Sequence, residues 1–260
     1  MKYFICVGHA NYGGGVISSA DGTSKGGVNE YKYNKELAPY VCKWLKAAGH
    51  EATLCIAPEG QLHYLNDEIK YFIEEEHKQN YDLSVQLHLN AFNGEAYGCL
   101  ACCYNANGLP EAQRISAKLG TVWHNRGAQE RPGLYWTIKT KAKAVLVESF
   151  FCDNKDDYAK AKKLGMDAHG KLIAEGIIGK EIVAKPKAKY YIQAGVYSIK
   201  TNAQAMAKEL KAKGFSASVR KVSGPAPYRV EAGRYNTKKA ANKVVKKLKA
   251  AGFQVLVKSL

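Results

Sequence analysis

Apolar residues in the first 183 positions fall into two kinds of run. Short, β-rich stretches at Tyr3–Val7, Ala52–Ile56, Leu83–Leu87, Gly98–Tyr104 and Val145–Val147 read as strands. Between them the apolar positions recur at intervals of three and four. Leu37, Val41, Trp44, Leu45 and Ala48 trace one helix face, ended by Gly49, and Leu62, Leu65, Ile69 and Ile73 trace another. Further helices are expected near Pro110–Asn125 and Asp156–Val183. Strands that alternate with helices predict an α/β fold, a layered sheet with flanking helices.

The last part of the chain repeats itself. Tyr190 opens YYIQAGVYSIK and Tyr228 opens YRVEAGRYNTK, an offset of 38 residues that holds without a gap. Ala194-Gly195 meets Ala232-Gly233, Tyr197 meets Tyr235, and Gly214-Phe215 meets Gly252-Phe253. Each copy reads strand, helix, strand. The helix carries Ala203, Met206, Ala207 and Leu210 in the first copy and Ala241, Val244, Val245 and Leu248 in the second. Two βαβ copies predict a small α+β domain, a four-stranded antiparallel sheet with two helices on one face.

Charge separates the two parts. The net charge is +16, and residues 1–184 hold 21 basic and 21 acidic residues, so the excess lies entirely in the tail. Residues 185–260 hold 18 Lys and Arg against 2 acidic residues. Such a segment suits an anionic or sugar-rich polymer. The stretch AKPKAK at 184–189 is expected to be a short, semi-rigid linker. No apolar run approaches the ~18–20 residues that span a bilayer. The apolar stretch at Tyr3–Val7 is short for a signal-peptide core and has no cleavage site after it, so synthesis in the cytoplasm without a signal peptide is expected. Seven cysteines without paired-knuckle spacing, mostly among apolar neighbours, are expected to be buried free thiols.

The chemistry concentrates where strands end. His9 follows the first strand in GHANYGGG, Glu30 opens a helix after a Gly-rich loop, His88 lies at the end of the third strand in QLHLNA, and Glu148 closes AVLVES. Two histidines and a glutamate from separate elements form a catalytic zinc set that leaves one position for water, and a further carboxylate can serve as base. Glu148 stands out on its own, because a carboxylate at the end of an apolar strand is costly without a partner. His50, His63, His77, His124 and His169 read as structural or solvated.

The order Gly-His, Asn-Glu on a helix, His-x-Asn-Ala, Leu-Val-Glu resembles the zinc-dependent N-acetylmuramoyl-L-alanine amidases of the third amidase class over about residues 2–180. The resemblance implies that His9, Glu30 and His88 hold Zn2+ and that Glu148 is the catalytic glutamate. Asn90 lies in the segment after the second His, and Asn154 where the family has an Asn. Two positions depart from the pattern, Gln86 where the family usually has Ser and Ala144 where it usually has Pro, and both bear on substrate fit. Arg126 and Arg131 are candidate contacts for substrate carboxylates, as is Asn90 for substrate generally.

The tail resembles the SPOR family, whose paired repeats bind peptidoglycan glycan lacking stem peptides. Tyr190, Tyr197, Tyr228 and Tyr235 are the candidate sugar-stacking residues. The fold class is shared with modules that stack RNA bases, so nucleic acid stays open as a partner, although the neutral N-terminal part with its zinc set weighs against it. The organisation expected is a catalytic domain at 1–183, a linker at 184–189 and a wall-binding domain at 190–260. The expected function is hydrolysis of the bond between N-acetylmuramic acid and L-alanine of bacterial peptidoglycan, with anionic wall polymers as a further partner. The absent signal peptide favours a phage endolysin over a bacterial autolysin or sporulation amidase. A zinc peptidase cutting stem peptides is the other enzymatic alternative.

Overall fold

A computed structural model describes residues 1–183 and 188–260. Contacts divide the chain into two compact units, Met1–Val183 and Ala184–Leu260. Most of the expected linker, residues 184–187, lies outside the described residues.

The N-terminal unit runs β1 (Lys2–Val7), β2 (Asn11–Gly13), β3 (Val16–Ile17), α1 (Glu30–Ala47), β4 (Glu51–Cys55), α2 (Leu65–His77), β5 (Leu83–Asn90), β6 (Cys99–Cys103), α3 (Leu109–Leu119), β7 (Asn125–Glu130), α4 (Tyr135–Lys139), β8 (Ala144–Phe151), α5 (Lys155–Leu164) and α6 (Met166–Ile178). Six strands form one mixed sheet in the order β4-β1-β5-β8-β6-β7. β1, β4, β5 and β8 pair in parallel, and β6 runs antiparallel to β8. Alternation along each strand sends residues to two faces. One face is sealed: Tyr3, Ile5, Val7, Val85, Leu87, Val145 and Val147 pack with Leu37, Val41 and Leu45 of α1, Ile115 of α3 and Ile173 of α6. The other face is only partly covered. Phe72 of α2 and Trp136 of α4 pack there on Phe4, Cys6 and Ala144, and Leu134 packs on Leu100, Cys102 and Leu146.

Several elements differ from expectation for physical reasons. β8 continues to Phe151, so Glu148 sits within the strand rather than at its end. The long helix expected at 156–183 is two helices, broken at Gly165 with φ 78°. β7 and the β2–β3 hairpin carry no apolar alternation to announce them, since β7 is an edge strand with exposed and half-buried residues only. The buried stripe of α2 is Glu68, Phe72 and Glu76, while Leu65 is exposed. Both glutamates have partners: Glu76 accepts from Ser84 Oγ at 2.9 Å and from the backbone N–H groups of Lys141 and Ala142 at 3.0 Å each. All seven cysteines are buried free thiols.

The C-terminal unit runs β9 (Tyr190–Tyr197), α7 (Lys200–Ala212), β10 (Ser218–Lys221), β11 (Tyr228–Tyr235), α8 (Lys238–Ala250) and β12 (Leu256–Ser259). Its strands form an antiparallel sheet in the order β10-β11-β9-β12. The core joins Ile192, Ala194, Val230 and Ala232 to Ala203, Leu210, Ala241 and Leu248 of the two helices. Phe215 and Phe253, equivalent residues of the two repeats, meet edge to face at 6.1 Å. The Ala-Gly-x-Tyr pattern has a steric reason. The Tyr197 ring lies over Gly195, and the Tyr235 ring over Gly233; a Cβ on either glycine would come within 2.7 Å and 2.6 Å of those rings.

A candidate metal centre on the open sheet face

His9 follows β1 with φ 69°, the only non-glycine residue with positive φ among those described. The turn there is held by hydrogen bonds from Ser18 N to Ala10 O at 3.0 Å and from Ala10 N to Ser18 Oγ at 2.9 Å. Glu30 is the first residue of α1, behind an Asn29 N-cap whose side chain accepts from Lys32 N. Its position in the first turn places a carboxylate at the positive end of the helix dipole. His88 comes from β5, and its register partner on the neighbouring strand is Glu148 of β8. Register partners project to the same face, here the one that α2 and α4 leave partly open.

The three donor groups converge. His9, Glu30 and His88 each offer a ligand atom, and these atoms lie within 4.8 Å of one another. Glu30 Oε1 is 2.9 Å from His88 Nδ1 and accepts from Leu89 N at 3.0 Å. Its Oε2 is 3.2 Å from His9 Nε2 and accepts from Ala20 N at 3.3 Å. Burial opposes the charge on Glu30, but the hydrogen bonds with His88 and His9 outweigh it and hold the carboxyl well below the usual range. Burial lowers the His9 pKa while the Glu30 bond and the Glu30 and Glu68 charges raise it, with a net rise. The His88 ring lies against Gly8, where a Cβ would be 2.2 Å from its Cε1 and Nε2.

Two buried atoms among the described residues lack partners at this site, His88 Nε2 and Glu148 Oε2. Burial, reinforced by the negative charge of Glu30, pushes Glu148 up to about 8, with Arg131 acting in the opposite direction. A carboxyl so poised exchanges a proton near neutral pH, which suits acid–base work. The donor set of two imidazoles and one carboxylate fits a divalent metal that takes nitrogen and oxygen ligands.

Asn90 ends β5, with Oδ1 accepting from Ala91 N and its carbonyl accepting from Cys152 N. Asn154 caps α5, accepting from Asp156 N and Asp157 N. Arg131 donates to Gln129 Oε1 at 2.9 Å and is the cation that lowers the Glu148 pKa. Arg126 donates to the Tyr97 carbonyl and stands 5.2 Å over the Phe151 ring. Tyr190, Tyr197, Tyr228 and Tyr235 are half-buried and pack against the C-terminal core. On the opposite sheet face, Arg229 stacks 4.3 Å over Tyr191, and Glu231 accepts from Arg220, Arg229 and Arg234. The sequence reading missed Glu68, Ser18 and Tyr12, which surround His9 on its outer side; the one signal was the spacing of Glu68 with Phe72 on α2.

Residues 4–179 match the N-acetylmuramoyl-L-alanine amidase family, and residues 186–259 match the SPOR domain. Among solved structures, the catalytic domain of the CD27L endolysin targeting Clostridia Difficile is 47% identical, with TM-score 0.67, over 70% of this chain and 99% of that one. The catalytic domain of CwlV, an N-acetylmuramoyl-L-alanine amidase from Bacillus (Paenibacillus) polymyxa var. colistinus, shares the fold at 20% identity and TM-score 0.57, over 69% of this chain and 97% of that one. An uncharacterized protein of Clostridium perfringens (strain 13 / Type A) is 31% identical over 70% of this chain and 53% of its own length. The chain thus spans about half the length of that curated relative, and 37% of a second one from the same species. With the family matched from residue 4 to residue 179, the chain belongs to the N-acetylmuramoyl-L-alanine amidases and carries a SPOR domain behind the amidase domain.

Proposed function

We propose that the protein hydrolyses the amide between N-acetylmuramic acid and L-alanine in peptidoglycan, with His9, Glu30 and His88 holding zinc and Glu148 as the acid–base residue. The observation that carries this reading is the convergence of three ligand atoms within 4.8 Å on the same open face as Glu148, the register partner of His88, whose buried Oε2 has no partner among the described residues. Bound zinc supplies a Lewis-acid charge that makes water a nucleophile near neutral pH. Glu148 takes the proton from the attacking water and delivers it to the departing L-alanine nitrogen. Its unpartnered Oε2 is free to make that contact. Arg131, close enough to act on Glu148 electrostatically, contributes to holding substrate carboxylates. Arg126 and Asn90 stand further candidates for substrate contact.

The C-terminal unit holds the enzyme on the wall. Tyr190, Tyr197, Tyr228 and Tyr235, half-buried at the border of its core, are the sugar-contact residues of this reading. Its basic excess draws it to anionic wall polymers. An endolysin role is favoured by the 47% identity to an endolysin catalytic domain over 99% of that domain. Metal analysis tests the zinc assignment. The purified protein should hold one zinc, lose wall-degrading activity to a chelator and regain it with zinc, and His9→Ala, Glu30→Ala and His88→Ala should each lower the metal content. Full activity after complete removal of metal would overturn it.

A further inference from the structure

Beyond the three donor side chains, the geometry points to Glu68 as a positioning residue that fixes His9 through Ser18, an inference that rests on the zinc reading above. Glu68 is buried, in the first turn of α2, on a different element from any of the three donors. Its Oε2 accepts from Ser18 Oγ at 2.7 Å and from Tyr12 OH at 3.1 Å. Its Oε1 lies 3.8 Å from His9 Nδ1, and Ser18 Oγ lies 3.5 Å from the same nitrogen.

The proton count decides the tautomer of the metal-bound ring. A serine hydroxyl has one proton to give. The shortest contact, to the Glu68 carboxylate at 2.7 Å, takes it rather than the Ala10 carbonyl at 3.4 Å. Ser18 Oγ already accepts from Ala10 N at 2.9 Å, so towards His9 it can only accept again. Both groups that face Nδ1 are therefore acceptors, a hydroxyl lone pair and a carboxylate. Nε2 faces Glu30 Oε2 at 3.2 Å; once a metal ion takes that nitrogen, the one remaining proton of His9 belongs on Nδ1, where both neighbours accept it. A ring held in this way is a better metal ligand, because the acceptors at Nδ1 favour the tautomer that binds through Nε2 and fix the ring's orientation. The same network steadies the positive-φ backbone of His9. Glu68 thus serves the centre without touching it.

The competing role for Glu68 is structural: its bond with Tyr12 ties the β2–β3 hairpin to α2. Zinc affinity measured by chelator competition separates the two. Glu68→Gln and Ser18→Ala should each weaken zinc binding ~10–100-fold, whereas Tyr12→Phe, which cuts the hairpin tie and leaves the Ser18 bridge, should bind as the wild type does. Ser18→Ala deletes a single hydroxyl and keeps the test available should Glu68→Gln fail to fold. Wild-type affinity in both Ser18→Ala and Glu68→Gln overturns the proposal, as does a loss in Tyr12→Phe equal to that in Glu68→Gln. A wild-type protein that binds no zinc removes the zinc reading itself, and this inference with it.

Discussion

Gly8→Ala is a one-carbon test of the proposed metal centre. Gly8 is followed by His9 and lies against His88, two of the three proposed metal ligands. A Cβ there would be 2.2 Å from His88 Cε1 and Nε2 and 2.7 Å from Cδ2, well inside contact distance. The backbone cannot easily retreat, because Gly8 N donates to the Leu87 carbonyl at 2.9 Å in the ladder between β1 and β5. The ring cannot easily retreat either, because Nδ1 is set at 2.9 Å from Glu30 Oε1. The side chain of His88 must therefore rotate out of the cluster. Overpacking of this kind costs about 1–3 kcal/mol, which lowers the melting temperature by roughly 2–12 °C for a domain of this size. The functional loss is larger than the stability loss, since a ligand displaced by about 1 Å costs on the order of 10²-fold in rate. Gly133→Ala is the control, with nothing within 4 Å of its added carbon. The assay is zinc content by elemental analysis, together with melting and wall lysis. A Gly8→Ala protein with wild-type zinc and wild-type lysis would refute the argument that the His88 ring needs that space.

Glu148→Gln should keep the fold and the metal but lose activity ~10²–10⁴-fold, and near-wild-type lysis would remove Glu148 from the mechanism. Buried His169 should make the protein acid-sensitive. Burial depresses its pKa from 6.5 to about 3, so at intermediate pH the unfolded chain binds a proton that the folded one does not. This contribution to stability is full above about pH 6.5 and falls by up to about 1.4 kcal/mol per pH unit as the pH drops towards 3. Urea midpoints taken from about pH 7 to about pH 5 should fall less steeply in His169→Gln than in the wild type, and equal slopes would contradict this. The full chain should sediment with purified peptidoglycan more completely than a chain ending at residue 183. Salt should weaken the part due to anionic polymers, since exposed charges are screened beyond ~8–10 Å. Equal sedimentation of the two chains would show that the basic unit adds no wall binding.

The three residues that converge were legible as candidates because each sits next to a recognisable boundary: His9 after a glycine that follows a strand, Glu30 behind the Asn29 cap, His88 in an apolar run. The repeat was legible because two copies expose what either alone would hide, and packing then explains Gly195 and Gly233 as floors for tyrosine rings. What surrounds the centre was not legible. The inward stripe of α2 is Glu68, Phe72 and Glu76, and carboxylates read as a solvent face until the partners that permit their burial are known. Apolar spacing pointed instead to Leu65, which is exposed. The edge strand β7 pairs on one side only, so its sequence NRGAQE has no buried face to encode. Asn154, singled out by family position, is seen here as the cap of α5.

Mass spectrometry of the products of peptidoglycan digestion shows which bond the enzyme cuts. Cleavage between N-acetylmuramic acid and L-alanine should release whole stem peptides that begin with a free L-alanine amine and leave glycan bearing unsubstituted lactyl carboxylates. Shortened peptides, with L-alanine still attached to the sugar, would contradict the account and identify the enzyme as a peptidase.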